Sequence, residues 1–198
     1  MSSGSSDRPA WASWSNLFRV SFSARFYTIA ARAALWYRQG MTQLPAKDWD
    51  TVEPFPFSAA RKSFRGPTSN KDLLSMSYYR RPDGSMVAVA AFGPLSEGAP
   101  GQVHGGMVLT VLDEALGAAA WLAGHPVLTV RLETEFRAAV PVSAHLLVET
   151  RILSTRHRLI VVEGSLLGEA GKVYARAKGR FLELDAAAHE RIFGKKRA

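Results

Sequence analysis

Apolar residues run almost without a break from Met107 to Leu122 and occupy every side of a helical wheel, so the pattern predicts a helix buried all round. Thr110, Asp113 and Glu114 are the interruptions. Gly105 and Gly106 precede the helix, and Gly124-His125-Pro126 stops it with glycine and proline in the expected places. Upstream, Leu73–Arg80 and Ser85–Gly93 flank the turn Arg81-Pro82-Asp83-Gly84 and predict a β-hairpin. Downstream, strands are expected over Val127–Arg137, Val142–Leu153, Leu159–Leu167 and Lys172–Leu184, joined by short turns into a meander. One buried helix against a mostly antiparallel sheet of about six strands is an α+β layer architecture, with the helix wrapped by the sheet. After Asp185, AAAHERIF reads as a short helix, followed by the basic end GKKRA.

The amino-terminal third follows a different pattern. MSSGSSDRP is small, polar and turn-prone, which predicts disorder. Between Leu17 and Arg38, Phe18, Phe22, Phe26, Ile29, Ala33 and Trp36 recur at helical spacing, with Arg19, Arg25, Arg32 and Arg38 off that stripe. No acid lies between Asp7 and Asp48. A basic, acid-free amphipathic segment suits a mitochondrial presequence, a helix in contact with a membrane surface, or an arm packed on the domain. Arginines scattered through the apolar stretch disfavour a secretory signal. Prolines, charges and aromatics then alternate without a period, an extended linker whose Trp49, Phe55, Phe57 and Phe64 are expected to dock on the domain. The expected organisation is an arm or targeting segment over 1–44, a linker over 45–70, the folded domain over 71–186 and a basic tail over 187–198. The corresponding location is cytoplasmic, or mitochondrial if the source is eukaryotic and 1–44 acts as a presequence.

Composition narrows the function classes. The 198 residues, 47% hydrophobic and 21% charged, suit one domain with an appendage. With no cysteine, disulfides and thiolate-metal sites are excluded. The histidines His125, His145, His157 and His189 are too dispersed for metal-ligand spacing, so neither metal nor cofactor is expected. Serine-hydrolase, P-loop and zincin motifs do not occur. The net charge of +8 is concentrated toward the carboxyl end and favours polyanions, among them coenzyme A, nucleic acid and anionic lipid. Nucleic acid is not an expected partner, because the basic strands lack interleaved aromatics.

Chemistry concentrates at the central helix. A glycine-lined helix start offers backbone N–H groups without intrahelical acceptors, together with the positive end of the dipole, and can polarise a carbonyl oxygen. An acid inside so apolar a helix costs several kcal/mol unless it has a partner or a task.

His104-Gly105-Gly106, Asp113, Thr129, the segment TEFRAAVP and the turn RHRL resemble, in order and spacing, the hotdog-fold acyl-CoA thioesterases of the HGG-plus-Asp type. That family includes phenylacetate-pathway and mitochondrial long-chain enzymes. The resemblance spans roughly Leu73 to Leu184. It implies an acyl-CoA substrate, an oxyanion hole at Gly105 with Gly106 second, and Asp113 as general base or nucleophile, with Glu114 as the fallback. Thr129 would help hold the attacking water. His104 would either orient the loop or serve as the base. Arg137 and Arg158, assisted by Arg156, would meet the nucleotide end of coenzyme A, where Glu135 is an unexpected acid. The site would lie between subunits of a homodimer or a dimer of dimers. Two other readings compete: a non-catalytic hotdog protein that binds acyl-CoA or lipid or regulates a partner, and a dehydratase, whose usual Asp-to-His loop is not found.

Overall fold

The computed structural model describes residues 44–55, 71–142 and 144–193. The expectations for the segment before Leu44, for Phe57 and Phe64, and for the basic end GKKRA lie outside those residues.

The hairpin forms where turn chemistry places it, as β2 (Leu74–Arg80) and β3 (Met86–Phe92). Asp83 shapes the turn by accepting the Ser85 N–H at 3.0 Å. The long apolar run is helix α1 (Gly105–Leu122), and Gly124, at φ 91°, supplies the left-handed conformation that ends it. Strands β4 (Val127–Phe136), β5 (His145–Arg156), β6 (Leu159–Leu167) and β7 (Val173–Glu183) follow, and α2 (Ala186–Phe193) closes the described chain. Asp50–Val52, within the expected linker, is an edge strand, β1, antiparallel to β2. Among the described residues the sheet therefore holds seven strands, in the order β1-β2-β3-β5-β6-β7-β4.

That order corrects the expected meander. β5, β6 and β7 are consecutive antiparallel neighbours, but β4 pairs with β7 at the far edge and has no second strand beside it among the described residues. Period-two alternation tells which residues share a face and says nothing about which strand is the neighbour.

The core lies between α1 and the sheet's concave face. Leu112 and Leu116 of α1 meet Leu146, Val148, Ile160, Leu166 and Phe181. Helix and sheet approach closely at Gly164, where a Cβ would stand 2.9 Å from both Leu116 Cδ2 and the Glu149 carbonyl oxygen. On the outer face Trp49 packs with Val87, Leu147 and Leu167, and the Arg81 guanidinium lies 5.0 Å from its ring centre. Arg81 also forms a buried 2.6 Å ion pair with Glu149. The docking expected of Trp49 and Phe55 is observed, since both are buried.

The prediction of a helix buried all round is corrected as well. Val108, Val111, Leu112, Ala115, Leu116 and Ala118–Ala120 are buried, whereas Gly105 and Gly106 are exposed and Leu109, Thr110, Asp113, Gly117 and Trp121 are partly accessible. One stripe of α1 is thus left accessible among the described residues. An apolar wheel registers that a surface avoids water without recording which molecule covers it.

Candidate active site

The loop entering α1 is tied down before the chemistry begins. His104 N–H donates to the Ser96 carbonyl at 2.8 Å, Val103 N–H to the Val140 carbonyl at 2.8 Å, and the buried Ser96 hydroxyl to the Gly93 carbonyl at 2.6 Å. His104 caps the helix, its Nδ1 accepting the Gly106 N–H at 3.0 Å. An accepting Nδ1 carries no proton, so the neutral ring is protonated on Nε2. The amides of Met107 and Val108 both point to the His104 carbonyl oxygen, at 2.9 and 3.4 Å. Of the first-turn amides, only that of Gly105 lacks an acceptor among the described residues. Of the two expected oxyanion donors, the structure leaves Gly105 open and occupies Gly106.

Asp113 faces the amino-terminal end of β4, where Thr129 Oγ1 donates to its Oδ1 at 2.9 Å. Burial pushes the Asp113 carboxyl above the ordinary carboxylate range, and the Thr129 hydrogen bond pulls it partly back. Glu114, the next residue, is also partly accessible.

A β-bulge brings Thr129 to this position. The β4–β7 register pairs Thr129 with Phe181 and Arg131 with Arg180, leaving Val130 as the extra residue. Thr129 and Leu132 would face opposite sides of an unbroken strand, yet Thr129 reaches Asp113 and Leu132 packs on the core beneath the same helix. After the bulge the inward set includes Phe136, whose ring lies 3.5 Å from where a Gly105 Cβ would be. Phe136 is 49% exposed and walls the open amide, a part that sequence reasoning missed. The available signal was a large apolar side chain between Glu135 and Arg137 on a polar edge strand.

The expected phosphate ligands do not converge within one chain. Arg137 donates its backbone N–H to the Tyr174 carbonyl at the start of β7, whereas Arg158 Nε donates to the Glu183 carbonyl at its end. Between those points β7 runs about 30 Å at about 3.3 Å per residue, too far for two side chains to share a phosphate. Each arginine also has an acid of its own chain. Arg137 Nη2 lies 2.8 Å from Glu135 Oε2, and Arg158 Nη2 lies 3.2 Å from Asp185 Oδ2. Both Glu135 oxygens are buried and neither makes a well-aligned hydrogen bond, so the ion pair is their compensation among the described residues. Arg156, beside the His157 turn, is exposed and has no acidic partner among the described residues.

Comparison with known proteins fits this geometry. Residues 100–175 match the family model of the thioesterase superfamily, a span that includes Gly105, Asp113, Thr129 and Phe136. Acyl-coenzyme A thioesterase THEM4 of Bos taurus is 30% identical over 135 residues, 68% of this chain and 56% of that protein. Acyl-coenzyme A thioesterase THEM5 of Mus musculus is 30% identical over 95 residues, 46% of this chain and 38% of that protein. The chain thus spans between 38% and 56% of the length of these two relatives. Among solved structures, a thioesterase superfamily protein superposes with a TM-score of 0.57 at 20% identity, over 83% of this chain and 81% of that one. A hypothetical thioesterase of Streptococcus pneumoniae TIGR4, solved with coenzyme A, gives 0.51 at 17% identity over 55% and 87%. Residues 100–175 thus carry the likeness to the thioesterase superfamily, and the helix wrapped by an antiparallel sheet is the hotdog fold of these solved structures.

Proposed function

We propose that the protein hydrolyses the thioester of an acyl-CoA to a free acid and coenzyme A. One observation carries this reading: the Gly105 amide is open at the positive end of α1, and the same helix presents a partly buried carboxylate, Asp113, held by a strand hydroxyl. The names of the curated relatives support it.

In this mechanism the thioester oxygen accepts from Gly105 N–H, and the helix dipole stabilises the charge that gathers there as water adds to the carbonyl carbon. Asp113 takes the water's proton, while Thr129 fixes the carboxylate's orientation. Collapse of the tetrahedral species breaks the carbon–sulfur bond, and the Asp113 proton passes to the departing thiolate. Asp113 acting as nucleophile through an anhydride uses the same groups. His104 serves by capping, since its Nδ1 lone pair is engaged by Gly106.

The site is shared by two chains in this reading. Gly105 and Asp113 lie on one continuous helix, separated by about 12 Å of rise at about 1.5 Å per residue, and a single thioester cannot touch both. A twofold axis that sets two α1 helices antiparallel brings Asp113 of one protomer to Gly105 of its partner. Surfaces for such an axis are the accessible stripe of α1 and the open edge of β4, where Leu128, Val130 and Phe136 are 45%, 57% and 49% exposed. Arg137 stands at the Gly105 end of the domain and Arg158 at the Asp113 end. The same axis therefore moves Arg137 of one protomer toward Arg158 of the partner subunit.

The test is hydrolysis of acyl-CoAs of graded chain length, followed by thiol release, for wild type and Asp113→Asn. Turnover that vanishes in the variant is expected. A wild-type chain that binds these compounds without turnover would instead make it a non-catalytic acyl-CoA-binding member.

A further inference from the structure

A cavity of about 360 Å³ opens on the concave side of the sheet where α1 ends, away from the groups described above. Its floor is apolar, formed by Met86, Ala119, Leu122 and Ile152, and it continues the core past the last turn of the helix. Ala119, Leu122 and Ala123 lie between about 180° and 280° around the wheel from Asp113, at about 100° per residue. The cavity is therefore on the other side of α1 from Thr129 and Asp113.

The mouth is cationic. Arg80 and Arg151 line it, and Arg151 is committed to Glu163 through Nε at 2.8 Å. Arg80 makes no ion pair among the described residues, and Asp50, its register partner on β1, stays beyond ion-pair distance. Other negative features near the rim make hydrogen bonds of their own. Asp83 in the hairpin turn accepts from the Ser85 hydroxyl at 2.6 Å, and the terminal α1 carbonyls of Ala119, Ala120 and Trp121 accept from the amides of Ala123, His125 and Gly124. Arg80 is thus a cation at the rim without an ion-pair partner among the described residues.

We infer that this cavity is a second ligand site, for a single-chain amphiphile with an anionic head: the alkyl chain lies on Met86, Leu122 and Ile152 and a carboxylate meets Arg80. The volume is at the lower end of ligand pockets and holds about a dozen non-hydrogen atoms at about 30 Å³ each, which admits one chain and excludes a two-chain lipid. A carboxylate with an alkyl chain is also the product class of thioester hydrolysis, so occupancy would report product level at a place remote from the chemistry. Binding itself does not rest on the hydrolase reading.

The experiment titrates the full chain with decanoate, and with 1-decanol as the uncharged control, by calorimetry. Wild type and Asp113→Asn should bind decanoate alike, one per chain. Arg80→Gln should weaken decanoate by about tenfold or more and leave 1-decanol unchanged, as expected for loss of a charge-assisted hydrogen bond. Ala123→Phe, which fills the cavity from the helix end, should remove binding of both, with an unchanged melting temperature to show that the fold is kept. If it lowers the melting temperature, Arg80→Gln alone decides. Decanoate affinity that is undetectable in wild type, or unaffected by Arg80→Gln, overturns the site and leaves the thioesterase reading untouched.

Discussion

Thr129 donates a 2.9 Å hydrogen bond from the bulged edge strand to Asp113 on the central helix, and this contact sets the working range of the proposed base. Burial raises the Asp113 pKa and the Thr129 bond opposes the rise. The acid limb of kcat/KM is expected above the usual carboxylate range, because the base works only when deprotonated. Thr129→Val should move that limb to higher pH and Thr129→Ser should restore it. A limb that stays in place in Thr129→Val would separate Thr129 from the ionisation.

Activity and stability should part company at Asp113. Asp113→Asn is expected to lower kcat by at least about 100-fold, the scale of a lost general base, with a much smaller effect from Glu114→Gln. Because the folded-state pKa of Asp113 is raised, its ionisation disfavours the folded state. That disadvantage is absent below the unfolded-state pKa and grows as pH rises through the folded-state value. The Asn variant should therefore melt no lower than wild type at neutral pH, and the two should converge in acid. An Asn variant that melts well below wild type at pH 7 would give Asp113 a structural role instead.

Arg137→Ala and Arg158→Ala should each raise KM for acyl-CoA with little change in kcat, as removal of uniform binding does. Each truncation also frees an acid, Glu135 or Asp185 respectively. The buried carboxylate oxygens of Glu135 make Arg137→Ala the more destabilising of the two, readable as a lower melting temperature. Arg156→Ala, which frees no acid, should change KM alone. An unchanged KM in all three would remove coenzyme A from these arginines.

Shared sites predict complementation. Gly105→Pro removes the open N–H at a helix start that accepts proline, and Asp113→Asn removes the base. Each variant alone should be inactive. Co-expressed, random pairing gives half mixed dimers, each with one intact and one doubly broken site, so about a quarter of wild-type sites return. Mixed dimers that form without recovering activity would place the whole site within one chain.

Local pattern and turn chemistry were enough to locate α1, the hairpin β2–β3 and the spans of β6 and α2, and a family resemblance was enough to nominate Gly105, Asp113 and Thr129. These features depend on short-range periodicity, on glycine and proline conformations and on helix-end electrostatics, which a chain carries in consecutive residues. Three outcomes needed the tertiary structure. Placement of β4 beside β7 depends on strand pairing, which alternation does not encode. The bulge at Val130 turns both Thr129 and Phe136 toward α1, although their odd spacing would put them on opposite faces of an unbroken strand. The separation of Arg137 from Arg158 by nearly the whole length of β7 follows from two ends of one strand receiving different neighbours. Residue type made these arginines suitable for phosphate, but their distance is a property of the folded sheet, because proximity between remote positions is created only when strands pair and the helix packs across them.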